Sequence, residues 1–221
     1  MKKYWAFTLA EVLIALLIIG VIAAITVPTL LNYTQEQQFK SALKKNFTVI
    51  SNAFNLSYGY DYDDFRDWTF ERSDAFLNNT YDTLKKYLYI EKKCGHAVGC
   101  FEQPKAKNGN WATHSSVYGF GNSSPLNFIL NDGTAVSLDF WYAQNVKTYM
   151  GVEKELLNES ANLLIGIDVN GEKKPNVTGK DVFVFVLTNR GIVPAGIDNN
   201  SRNCENNSVN YNYDCTAKYL K

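Results

Sequence analysis

The chain has 221 residues, and its 22 basic and 22 acidic side chains give a formal net charge of zero. This balance excludes a nucleic-acid binder held by bulk electrostatic attraction, and a hydrophobic content of 46% excludes wholesale disorder. The length predicts one domain of moderate size, or one domain with an appendage.

A long apolar run lies near the N-terminus. Residues 12–31 hold no charged side chain, and a helix of that length rises about 30 Å, the thickness of a bilayer core. A cleaved secretory signal fits poorly, because the run is too long and Glu11 interrupts its beginning. We therefore predict a membrane-spanning helix. Lys2 and Lys3 precede it, which predicts a cytoplasmic N-terminus and a remainder outside the inner membrane.

Glu11 allows two interpretations. Residues 8–11, Thr-Leu-Ala-Glu, have the pattern of a capping box, in which the Glu carboxylate accepts a hydrogen bond from the cap amide. A carboxylate in the first turn also lies at the positive end of the helix dipole. Alternatively, a carboxylate in an apolar membrane helix is costly and usually has both a partner and a function.

Helical periodicity continues beyond the apolar run. Apolar side chains spaced four, four, three and four residues apart form one stripe: Phe39, Leu43, Phe47, Ile50 and Phe54. No Gly or Pro lies between Thr29 and Ser57. The pattern predicts one helix from about residue 8 to residue 55, whose second half presents an apolar face to a head domain.

The rest of the chain predicts a mixed head. A second helix is expected over residues 73–89 with Ser73 as its cap, and residues 94–124 are expected to be irregular. Asn131-Asp132-Gly133 is a strong hairpin signal between two strands. The predicted strands cover residues 126–130, 134–140, 162–168, 181–187 and 192–193. The fold class is therefore α+β, with a small antiparallel sheet packed on the long helix.

Four cysteines form an even set outside the inner membrane, where disulfides persist. Three pairings are possible, and we predict the local pairs Cys94–Cys100 and Cys204–Cys215 because both loops are short. A zinc site is disfavoured, because the chain has no C-x2-C spacing.

One constellation is typical of a ligand site. Asp168 and Asn170 alternate before a Gly, with Asp181 downstream, as oxygen ligands do in calcium loops. Full EF-hand spacing and the closing Glu are missing, so an Asx-rich turn that caps backbone amides is favoured over calcium. No motif for catalysis is present, and we predict no enzyme and no other cofactor.

Residues 6–14, Ala-Phe-Thr-Leu-Ala-Glu-Val-Leu-Ile, and the stretch through Pro28 resemble the N-terminus of a type IV prepilin or type II secretion pseudopilin. In that family a prepilin peptidase cuts after a small residue, and the new N-terminal residue, usually Phe, is N-methylated. A cut between Ala6 and Phe7 places Glu11, Gly20 and Pro28 where the family has its usual Glu, Gly and Pro. The family's residue before the cut is usually Gly rather than Ala.

The resemblance implies a domain organisation. Residues 1–6 are the leader, 7–57 the N-terminal helix with 7–31 as its transmembrane and polymerising part, and 58–221 the head, with a C-terminal disulfide loop as in many type IV pilins. Glu11 would pair with the Phe7 amine of a neighbouring subunit. Pro28 is expected to kink or locally melt the helix, with Gly20 as a second weak point. Residues 168–183 also resemble loops of prepilin-like proteins, and some pseudopilins bind calcium in their heads.

The predicted function is that of a structural subunit of a type IV pilus or type II secretion pseudopilus, serving secretion, adhesion, motility or DNA uptake. Its partners would be its own copies and other pilin-like subunits, the prepilin peptidase, the inner-membrane assembly platform and lipid. The sequence demonstrates no nucleic-acid partner. The chain would cross the inner membrane once before it enters a filament. The alternative is a membrane-anchored periplasmic binding or enzymatic domain.

Overall fold

The computed structural model describes residues 8–60, 73–96, 100, 104–110, 112, 125–159, 161–188, 190–198, 204 and 213–221. The leader and the predicted cleavage residues Ala6 and Phe7 lie outside these ranges. The chain forms two compact units, Met1–Gln38 and Phe39–Lys221.

The first helix, α1, spans Leu9–Tyr60 without a break. A single long helix is therefore confirmed, but its predicted end near residue 55 is wrong. The Ser57 hydroxyl is buried and donates to the Phe54 carbonyl oxygen at 2.8 Å, so the helix is packed at least as far as Ser57.

The apolar stripe of α1 forms part of the head's core. Leu43 and Ile50 are buried, and the ring of Phe47 stacks on that of Phe185 with centroids 5.2 Å apart. The second compact unit begins at Phe39, and these helical side chains are buried within it. The division of the chain at residue 58 stays a prediction.

Within the described residues the head contains a six-stranded antiparallel sheet whose strand order follows the chain. The strands are β1 Ile90–Gly95, β2 Leu126–Leu130, β3 Ala135–Trp141, β4 Asn162–Asp168, β5 Val182–Thr188 and β6 Gly191–Pro194. The predicted meander is confirmed. The first strand was missed, because it is an edge strand with exposed charged residues and carries no hydrophobic alternation.

The central strands are buried on both faces. One face packs against α1 and against α2, Asp74–Leu84, which is capped by the Ser73 hydroxyl. The other face packs against α3, Ala143–Met150, a short helix that the sequence did not predict. The second helix is also shorter than expected, since it ends at Leu84 rather than near residue 89.

The C-terminal segment is held against the sheet by a hydrogen bond, and a disulfide closes the loop before it. It contains α4, Thr216–Leu220, and the Thr216 hydroxyl accepts a hydrogen bond from the Val184 amide at 3.0 Å. Cys204 is bonded to Cys215, with both residues buried, and Cys94 is bonded to Cys100. The long helix, antiparallel sheet and C-terminal disulfide together make the predicted α+β pilin fold.

Candidate functional site

The N-terminal half of α1 exposes apolar side chains on every side. Leu9 is 79% exposed, Leu17 68% and Ile25 69%. Among the described residues, one helix is long and apolar enough to cross a membrane, and it is this one. Its most apolar stretch is 0% buried. Within the described residues, this apolar surface is therefore left uncovered.

A capping box begins the helix. Glu11 Oε2 accepts hydrogen bonds from the Thr8 amide and from the Thr8 hydroxyl, both at 2.8 Å. In return, the Glu11 amide donates to the Thr8 hydroxyl oxygen at 3.3 Å. Among the described residues Glu11 Oε1 accepts no hydrogen bond. One carboxylate oxygen thus caps the start of the helix, and the other accepts no hydrogen bond from a described residue.

Gly20 and Pro28 leave α1 continuous. A Cβ atom at Gly20 would meet nothing within 4 Å, so packing inside the chain does not require a glycine. The hydroxyls of Thr26 and Thr29 donate to the carbonyl oxygens of Ile22 and Ile25, at 3.0 and 3.2 Å. Local melting at Pro28 is not seen in the single chain, and melting on assembly stays a prediction.

The predicted oxygen cluster lies in the loop between β4 and β5. Asp168 ends β4 and Asp181 immediately precedes β5, and the Val169 amide bonds the Asp181 carbonyl oxygen at 2.9 Å. The two Asp residues are 1% and 0% exposed. Burial, with the neighbouring charge of Asp181, raises the pKa of Asp168 to about 8. Burial also raises the pKa of Asp181.

Backbone amides line both carboxylates. Asp168 Oδ1 accepts from the Asn170 amide at 3.2 Å. Asp181 accepts from the amides of Asn176 and Val177, at 2.8 and 2.7 Å. The Asp168 contact is an Asx turn, because the amide lies two residues after the carboxylate. Asp181 instead accepts from amides that precede it in the chain. No group of three or more His, Cys, Asp or Glu side chains that could hold a metal ion occurs in the described ranges.

Residues 1–27 match the family model described as the prokaryotic N-terminal methylation motif. The chain carries a prepilin-type leader. This motif is the leader of type IV pilins and pseudopilins, and it includes Ala6, Phe7, Glu11 and Gly20 of the predicted set. Comparison with curated proteins found no match, and comparison with solved structures found none either.

The structure brings the predicted residues of this pilin-like chain into two separate places. Glu11 lies in a capping arrangement on α1, while Asp168, Asn170 and Asp181 meet in the β4–β5 loop. Sequence reasoning missed Asn176, whose side-chain nitrogen donates to Asp168 Oδ2 at 3.2 Å and to the Lys173 carbonyl oxygen at 2.7 Å. A backbone carbonyl carries no sequence signal, and an Asn after a Pro is also an ordinary turn residue.

Proposed function

We propose that this pilin-like chain is a structural subunit that polymerises through α1 into a type IV pilus or a type II secretion pseudopilus. The observation that carries the proposal is the methylation motif placed at the start of a helix whose apolar side chains are exposed in the described part of the chain. Lipid can cover this surface before assembly, and the equivalent helices of neighbouring subunits can cover it afterwards.

The state of Glu11 supports this assembly route. Its Oε2 atom is used by Thr8, whereas Oε1 accepts no hydrogen bond in the described chain. Cleavage before Phe7 would create an amine, and the Phe7 amine of a neighbour could bind Oε1 while Oε2 continues to cap the helix. The two interpretations of Glu11 are therefore compatible, because each uses a different oxygen.

The absence of a side chain at Gly20 has a simple role in such a bundle. No described residue would lie within 4 Å of a Cβ atom at this position, so the space is open to a neighbouring helix. Small residues in membrane helices allow close backbone approach between helices.

Processing and topology follow from the same motif. The leader would remain in the cytoplasm until a prepilin peptidase removes residues 1–6, and the head would fold outside the inner membrane. The two disulfides of the head fit an oxidising compartment. The chain would then be extracted from the membrane by an assembly platform, together with other pilin-like subunits.

The experiment is done in the native cells, with and without the prepilin peptidase gene. Surface filaments are sheared off, pelleted and probed for the head, with the membrane pool probed in parallel. We expect the chain in the pelleted filaments of the parent cells and only in the membranes of cells without the peptidase. If the chain stays in the membrane pool of cells that assemble filaments, the alternative of an anchored binding or enzymatic domain is favoured instead. A periplasmic pseudopilus is detected in the same preparation by cross-linking of head domains.

A further inference from the structure

We propose that one surface of the head binds the anionic headgroups of the membrane in which α1 is inserted. Five lysines form this surface, which we call the lysine face: Lys40, Lys44, Lys107, Lys218 and Lys221. The inference rests on the membrane insertion of α1, which the proposed function also uses, and not on filament assembly.

The first support is the one-sided charge of the two helical segments that carry most of the lysine face. Residues 39–60 and 216–221 together hold five lysines and no Asp or Glu, although the whole chain has a net charge of zero. One of the five, Lys45, is paired with Asp132 and is not counted in the lysine face. Glu36 is the one acidic residue in positions 12–60 of the sequence. The two segments therefore carry a net positive charge.

The second support is the ring of Tyr219, which gathers lysines from distant parts of the chain. Lys40 Nζ lies 5.3 Å and Lys107 Nζ 5.7 Å from the centroid of this ring. The ring also packs edge-on against Phe183 with centroids 5.9 Å apart, which holds α4 on the sheet face that α1 covers. Three separate segments thus bring their lysines to one place.

Further exposed amines extend the surface on both helices. Lys218 and Lys221 lie on either side of Tyr219 in the sequence, and both are exposed. Lys44 is exposed as well and follows Lys40 by four residues, a spacing that makes the two neighbours on the surface of α1. Cations gathered in this way repel one another, and an anionic surface relieves the repulsion.

The position of Lys40 in the chain favours the membrane as the partner. Lys40 follows the uncharged residues 12–31 by nine positions, and a helix rises about 14 Å over that length. The headgroups occupy about 5–8 Å on each side of the hydrocarbon core. They therefore come within about one Debye length of Lys40 at physiological ionic strength, and their phosphates are the anions that the lysine face meets first.

The test uses the full-length chain in nanodiscs that hold one chain each. The discs contain either phosphatidylcholine alone or equal parts of phosphatidylcholine and phosphatidylglycerol. A short pulse of a water-soluble acetylating reagent modifies accessible amines, and peptide mass spectrometry measures the labelling of each lysine. Lys147 and Lys154 are exposed and belong to the segment that packs on the other face of the sheet, so they are internal controls.

The expected result is a selective and salt-dependent protection. The attraction of one lysine to an anionic surface corresponds to about a fivefold preference for the bound amine. Relative to the control lysines, we expect Lys218 and Lys221 to be labelled about fivefold more slowly in the discs with phosphatidylglycerol. The difference should disappear in about 1 M NaCl, where the Debye length is about 3 Å.

Two matched double variants make the assignment specific. Lys218→Gln with Lys221→Gln removes two cations of the lysine face, and it should weaken the protection of Lys44 in the discs with phosphatidylglycerol. Lys147→Gln with Lys154→Gln removes two exposed cations elsewhere on the head, and it should leave the protection of Lys44 unchanged.

Three outcomes would count against the account, each in a different way. Equal labelling of the lysine face in both kinds of disc would overturn this proposal and leave the proposed function standing. Protection that appears only when several chains share a disc would assign the lysine face to a second copy of the chain, and it would also overturn the proposal. A chain that does not co-elute with the discs would contradict membrane insertion, and with it the proposed function.

Discussion

Lys45 Nζ lies 2.8 Å from Asp132 Oδ2, and this ion pair connects α1 to the turn between β2 and β3. Asp132 Oδ1 also accepts from the Thr134 amide at 3.0 Å, so the same carboxylate shapes the turn. Beneath the pair, the buried Asn46 amide donates to the Thr134 hydroxyl at 3.0 Å. The turn that the sequence marks as a hairpin is therefore also a docking point for the helix.

The pair has a defined pH dependence. Burial alone would raise the pKa of Asp132, but hydrogen bonds from Lys45 and Thr134 outweigh it and lower that pKa. A lowered folded-state pKa stabilises the head above the carboxyl's ordinary pKa, and this contribution is lost as the pH falls through the folded value. Lys45 is 59% exposed, so we expect a coupling free energy between Lys45 and Asp132 of only about 0.5–1 kcal/mol.

A double-mutant cycle of Lys45→Gln and Asp132→Asn at pH 7 and pH 3 measures this coupling free energy. A coupling that grows at pH 3 would contradict the assignment.

Gly196 is required by a close approach of the C-terminal segment. Its φ is 86°, and a Cβ atom would overlap the Asp214 carbonyl oxygen. Gly109 has nearly the same φ, 85°, but open space around it, so it is a matched control. Gly109→Ala should cost about 1 kcal/mol for the left-handed backbone, and Gly196→Ala should cost about 1–3 kcal/mol more for the clash. Chemical denaturation in detergent measures the free energy of unfolding of both variants. Equal decreases would show that Gly196 and the Asp214 carbonyl oxygen are not in tight contact.

The C-terminal disulfide should stabilise the head measurably. Cys204 and Cys215 are 11 residues apart in the sequence, and closing a loop of that size contributes about 2–3 kcal/mol in the chain-entropy model. The double variant Cys204→Ser, Cys215→Ser should lose that amount in chemical denaturation. Non-reducing peptide mapping of the wild type should recover Cys204 linked to Cys215. A cross pair such as Cys94 with Cys204 would disprove the pairing.

Glu11→Gln separates capping from intersubunit pairing. Gln also serves in a capping box, so the variant should insert and fold its head normally. It cannot supply a charge to a neighbour's amine, and an unpaired buried charge costs about 3–5 kcal/mol in each subunit. We therefore expect membrane-pool protein at the wild-type level and few filaments. Glu36→Gln, an exposed acidic residue elsewhere on α1, is the control and should assemble normally. A normal filament yield from Glu11→Gln would show that Glu11 only caps the helix and does not pair with a neighbouring subunit.

Local patterns predicted the elements whose side chains are regularly spaced. The 162–168 strand matches β4, and the Asn131-Asp132-Gly133 turn lies between β2 and β3, with Gly133 at a φ of 84°. The elements that were missed lack such a signal. In β1 the charged residues face solvent, and α3 has only eight residues, too few for periodicity to be distinguished from a loop.

The candidate sites divide in the same way. The N-terminal motif consists of a few residue types at fixed spacing, so it could be recognised from the sequence alone. In the β4–β5 loop, Asp168 and Asp181 were recognisable, but Asn176 comes beside Asp168 only through the path of the chain. The same loop is hydrogen-bonded to Lys105, and contacts between residues so distant in the sequence have no local pattern.

The intact mass of the chain extracted from native membranes tests the central claim most directly. A subunit with a working prepilin leader should lack Met1 to Ala6 and carry one methyl group on Phe7. The same chain from cells without the prepilin peptidase should retain the leader. A chain that begins at Met1 in cells with an active peptidase would contradict the account, since a subunit that keeps its leader has no Phe7 amine to offer to Glu11 of a neighbour.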